Sequence, residues 1–140
     1  MQTKEKDGLL FIRLFPKEDV YNSLDKALMK HNVLTGVLLS GLGQLAEFEL
    51  GFFKEKGNYV PEKFDSPFEL CSLTGNVSLQ HGKYEFHLHA VLSNEKKETV
   101  GGHLLSGVVS VTAEIVVLKT DLTVIRKIEE ETGLNSLFLE

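Results

Sequence analysis

YEFHLHAVLS, residues 84–93, alternates without a break. Tyr84, Phe86, Leu88, Ala90 and Leu92 fall on one side; Glu85, His87, His89 and Val91 fall on the other. A period of two marks a β-strand with one face on a core. The same reading extends to the neighbouring segments. PFELCSLTGNVSLQ (67–80) precedes this strand across an HGK turn, and TVGGHLLS and then GVVSVTAEIVVLKT (107–120) follow the polar NEKKE loop (94–98). Upstream, GLLFIRLF (8–15) reads as the first strand, stopped by Pro16. TGVLLSGLGQL (35–45) and AEFELGFF (46–53) read as two strands, with a bulge or sharp bend at Gly41 and Gly43. TVIRKIEE reads as a last strand and ETGLNSLFLE as a short tail. One segment departs from this pattern. EDVYNSLDKALMKHN (18–32) sets Val20, Leu24, Ala27 and Leu28 at helical spacing. The expected fold is therefore α+β: a compact single domain over residues 1–140, with a mainly antiparallel central sheet and one main amphipathic helix near residues 18–32.

A chain of 140 residues is long enough to bury a core without help from a disulfide or a metal. Cys71 is its one cysteine, so no intramolecular disulfide can form, which suits a reducing cytoplasm; a cytoplasmic location is expected. Cys71 alternates with Leu73 and Val77 and reads as a core residue, whereas His31 and His81 read as exposed. The N-terminus lacks a signal-peptide pattern, and no apolar run approaches the roughly 20 residues that span a bilayer. Net charge is −5, with Arg13 and Arg126 the two arginines, a balance that disfavours DNA binding through a dense basic surface. No GxGxxG, P-loop, CxxC or GxSxG motif occurs.

His87 and His89 share a strand face about 6.6–6.8 Å apart. Imidazole arms can converge from that separation, and two nitrogens on a tetrahedral zinc ion lie roughly 3.4 Å apart. A third ligand is needed. His103, in GGHLLSG, supplies it if its strand lies alongside, about 4.8 Å away, and Gly101-Gly102 would permit close backbone approach or positive φ. The alternative is three separate polar histidines, each with its own hydrogen bond. If the three do converge, zinc is favoured because it needs no further ligand type, although nickel, copper or iron would also suit three imidazoles. Glu114, in VTAEIVV, is the candidate general base or second-sphere partner; the alternative is a structural ion pair. Glu69 reads as structural, and Asn76 as lining a pocket or pairing across strands.

SGLGQLAEFELGFF, ELCSLTGNVS, HLHAVLS, GGHLLSGVV and TAEIVV occur in this order. Together they resemble the PPC domain (plants-and-prokaryotes-conserved domain) over residues 10–118, in its single-domain prokaryotic form. The resemblance implies a compact domain around an antiparallel sheet, assembly as a homotrimer, and a metal, zinc, on three histidines that map to His87, His89 and His103. It also carries the DNA-binding label of the family, which comes from plant members fused to AT-hooks. This chain has no Arg-Gly-Arg-Pro core of an AT-hook. The plant Gly-Arg-Phe-Glu-Ile-Leu segment stands here as Ser66-Pro67-Phe68-Glu69-Leu70-Cys71, with Phe68 and Glu69 matching. Three functions are thus set against one another: a metal-binding homotrimer acting as an interaction or regulatory module, a small metal-dependent enzyme with an open coordination position, and DNA binding through the folded domain.

Overall fold

Two long strands organise the chain. In the computed structural model, which describes residues 1–139, β3 runs over Thr35–Glu55 and β7 over Thr99–Thr120. Both far exceed the roughly 5–6 residues usual for a strand. They pair antiparallel from Thr35 with Thr120 to Gly51 with His103, and their register shifts at four points between Leu38 and Leu50. Each shift is a bulge that bends the ladder. The bend lets one strand serve two sets of neighbours. The first half of β3 pairs with β5 (Phe68–Gln80), and the second half with β4 (Asn58–Phe64). Strand β6 (Lys83–Ser93) joins β5 to the start of β7, so the hydrogen-bonded path β3–β5–β6–β7 closes on itself. Beyond β7 lie β2 (Leu9–Leu14) and the edge strand β1 (Gln2–Lys6).

Alternating residues of these strands fill one core, which includes Leu10, Ile12, Leu38, Leu73, Leu88, Leu92, Ile115 and Val117. Helix α1 (Val20–Lys30) packs on β7 and β2 and adds Val20, Leu24, Ala27 and Leu28. Asp19 caps it by accepting from the Asn22 N–H at 2.8 Å. Among the described residues no helix is long and apolar enough to cross a membrane.

The α+β expectation holds, with a small share of helix. Several local expectations are corrected. A strand, β1, precedes the segment read as first; it is polar and pairs with β2 across Asp7-Gly8, both at positive φ, the geometry of a two-residue hairpin turn. The segments at 35–45 and 46–53 are one bent strand, because the bulges bend β3 without breaking its ladder to β7. Residues 99–120 likewise form one strand. The tail forms β9 (Asn135–Leu139), paired with β8 (Val124–Ile128) in a separate two-stranded sheet. Cys71 is exposed: a bulge between Leu70 and Ser72 shifts the alternation by one, so Leu70 and Leu73 turn inward. His31 is half-buried at the helix end. Its ring bonds Thr3 Oγ1 at 2.9 Å and lies 3.6 Å from Glu5.

Gly75 illustrates how tightly the ring closes. Its φ is +151°, and a Cβ there would sit 2.0 Å from the carbonyl oxygen of His87. Gly75→Ala should therefore cost about 3 kcal/mol, a fall in Tm of roughly 6–12 °C. Gly82→Ala, at a turn with open space around it, should cost about 1–2 kcal/mol. Thermal denaturation of the two variants checks this; equal losses would contradict the steric account.

Candidate metal centre

β6 and β7 are neighbours, and their register sets His89 directly opposite His103. His87 lies two residues before His89 on the same outward face. The ring centroids of the three imidazoles are 5.1, 5.3 and 5.5 Å apart, and one ligand nitrogen from each falls within 4.8 Å of the others. The Nε2 atoms of His87 and His89 are 3.2 Å apart, close to the roughly 3.4 Å between two nitrogens on a tetrahedral zinc ion.

Glycines make room for this arrangement. A Cβ on Gly101 would meet the Ala90 carbonyl oxygen at 3.2 Å, and one on Gly102 the Gly51 carbonyl oxygen at 3.0 Å. Neither has positive φ, so the Gly-Gly pair serves close approach of β7 to its two neighbours. Gly51, opposite His103, leaves its face bare, and the Tyr59 ring lies across it. That ring stands edge-on to His103, with centroids 6.2 Å apart.

The triad faces an open cleft of ≈ 730 Å³. Strands β3, β6 and β7 form one wall, and the β8–β9 hairpin forms the opposite wall. The hairpin is fastened through Arg126, which donates to the Asn76 side chain; its second bond, at 3.2 Å to the Asn135 carbonyl, ties β8 to β9. Asn135 in turn donates to Glu85 at 3.3 Å. Asn76, expected to line a pocket or pair across strands, thus becomes an anchor for the hairpin. Arg126 is a site residue that sequence reasoning missed. Its available signal was its place inside the apolar TVIRKI strand pattern, in a chain with one other arginine.

Burial pushes the His103 imidazole down from 6.5 to about 4, and the neighbouring His87, His89 and Arg126 charges add to the effect. His87 is lowered by the same causes, with burial first. Imidazoles bind metals in the neutral form, so the environment keeps these two ready as ligands at neutral pH. Three imidazole nitrogen donors with one side open to the cleft fit a tetrahedral or five-coordinate transition metal ion.

Glu114 does not join them. It is exposed on β7, eleven residues beyond His103, roughly 35 Å along the strand. It pairs across to Arg13 and Leu42. Glu69 accepts from Gln44 at 2.7 Å and lies opposite Ser93, four residues beyond His89 on β6. His81 stands exposed in its turn.

The architecture and the cluster define a class: a bent, ring-closed antiparallel sheet with a three-histidine centre in an open cleft. Within that class the chain belongs to the Plants and Prokaryotes Conserved (PCC) domain family, which matches residues 1–121. A metal-containing protein from Archaeoglobus fulgidus is 25% identical, with a TM-score of 0.83 over 98% of this chain and 95% of its own. A plant- and prokaryote-conserved (PPC) protein from Pyrococcus horikoshii is 26% identical, with a TM-score of 0.80 over 99% and 96%. A protein from Bacteroides thetaiotaomicron, named only as a candidate DNA-binding protein, shares the fold at a TM-score of 0.91 and 24% identity, over 99% and 96% of the two chains. Bifunctional protein GlmU from a Synechococcus strain is 28% identical over 106 residues, which are 75% of this chain and 16% of that protein. The chain thus spans about a sixth of that curated relative.

In the metal-free protein, the His103 imidazole should stay neutral until pH approaches 4. The unfolded chain binds that proton near 6.5 and the folded chain near 4, so the contribution of His103 is fully present above 6.5 and is lost as pH falls through that window. NMR titration of the imidazole resonances in chelator-treated protein checks the order, and a His103 midpoint at or above 6.5 would contradict it.

Proposed function

We propose that this protein is a metal-binding homotrimer of the PCC family that holds a divalent transition metal ion, zinc first, on His87, His89 and His103. The observation that carries the reading is the convergence of three ligand nitrogens within 4.8 Å of one another, from two adjacent strands. The existence of a metal-containing relative with the same fold supports it. Three protein ligands leave a coordination position for a further molecule, and an ion held this way supplies Lewis acidity there.

Elemental analysis of protein purified without chelator should give about one metal ion per chain. His87→Ala and His103→Ala should each lower retention at least tenfold while leaving the far-ultraviolet circular dichroism unchanged. Full-length protein that carries no metal and takes up no added zinc would refute the site.

The homotrimer is supported by an unpartnered apolar face. Phe11, Val37, Leu39, Leu42 and Leu118 are 38–57% exposed on the outer side of β2, β3 and β7, and Val111 is 60% exposed. A second and third copy of the chain would cover such a face. Light scattering should give three times the 15.6 kDa chain mass. A monomer mass at micromolar concentration would refute the assembly.

Between an interaction module and a metal-dependent enzyme, the open cleft favours a site that takes a small molecule. A sealed triad would have favoured the module. Direct DNA binding has the weakest support, since net charge is −5 and the AT-hook is missing.

A further inference from the structure

The hairpin β8–β9 lies beyond residues 1–121, the segment that matches the family, yet it walls the metal cleft. Its one arginine, Arg126, reaches into that cleft. The guanidinium is half-buried; burial lowers its proton affinity, and the Glu85 charge offsets this in part. Two of its N–H groups are engaged, by neutral oxygens of Asn76 and Asn135. Its Nε–H is buried and has no hydrogen-bond partner among the described residues. No carboxylate of the described residues makes a salt bridge with it; Glu85, which shares the cleft, is engaged by Asn135 instead.

A guanidinium taken partly out of water without a counter-charge is unfavourable unless something supplies one. Fastening the hairpin does not require a charge, since a neutral donor would serve Asn76 equally well. The other wall of the cleft holds neutral imidazoles, and a divalent ion bound there would add two further positive charges. Metal and arginine together would then outweigh Glu85, the one acidic side chain lining the cleft among the described residues, whose carboxylate is engaged by Asn135. Phe52, Phe53, Leu134 and Leu137 line the rest of the cleft, and its ≈ 730 Å³ lies within the range of small-molecule sites.

We infer that the cleft binds a small organic carboxylate with an apolar body, whose carboxylate is shared between the metal on the histidine triad and the forked N–H groups of Arg126. Arginine suits this role because its planar fork matches a carboxylate. The aromatic and leucine side chains take the apolar remainder. The inference rests on the metal reading above.

The test uses full-length protein loaded with cobalt(II), whose visible absorption reports the coordination sphere. Butyrate is the probe and butyramide its neutral counterpart. Butyrate should shift the cobalt bands saturably, and butyramide should do so at least tenfold more weakly. Arg126→Met should weaken butyrate at least tenfold with the cobalt content unchanged, while Arg126→Lys keeps a preference for butyrate over butyramide. If the hairpin detaches in Arg126→Met, the lysine variant and the wild-type comparison still decide. A cobalt-loaded wild type that ignores butyrate, or an Arg126→Met that responds as strongly as wild type, overturns the inference and leaves the metal site standing. Failure to take up cobalt overturns both.

Discussion

Strands β3 and β7 pair from Thr35 with Thr120 at one end to Gly51 with His103 at the other, and the rest of the molecule is arranged around that ladder. A straight pair of this length would leave long open edges. Bulges bend it, so that β5 and β6 can close a ring on one side while β2 and β4 extend the sheet beyond it. Closure leaves only the short strands β1 and β4 as edges and fixes register, because a one-residue slip would turn core residues outward. It also brings the start of β7 against the middle of β6, which places His103 opposite His89. The histidine triad is therefore a product of the same pairing that holds the core together.

Part of the centre was legible in the sequence because strand alternation is a local property. The residues that point inward from β6, Tyr84, Leu88, Ala90 and Leu92, are all buried, and His87 and His89 fall on the opposite face as the period of two requires. His103 depended on which strands are neighbours, a non-local fact; its Gly-Gly prefix hinted at close approach, and the family resemblance supplied the rest. Alternation failed at Cys71, where a bulge shifted the phase. It failed for β1 and β9 because edge and hairpin strands bury little and carry no clean apolar face. Arg126 was invisible for a different reason: its importance comes from Asn76, fifty residues earlier, and from a cleft that exists only once the hairpin has folded back.

Electrostatics and packing act together at the triad. Burial, the neighbouring imidazoles and the nearby arginine all lower the proton affinity of His87 and His103. Neutral nitrogen donors of this kind would suit a metal ion, and no carboxylate stands among the three. Small residues at Gly51, Gly75, Gly101 and Gly102 permit the backbone proximity on which this crowding depends.

The β8–β9 hairpin belongs to a separate two-stranded sheet, joined to the main body by Arg126, Asn135 and the contact of Lys56 with the Glu130 carbonyl. An isolated two-stranded ribbon is marginal in water, so this unit depends on those few contacts to hold its place. The two walls of the cleft therefore differ in kind. One inherits its geometry from the closed sheet; the other takes no part in the β3–β7 ladder and can change in sequence without disturbing it. Substitution along the hairpin offers a way to alter what enters the cleft while the histidines stay where β6 and β7 put them.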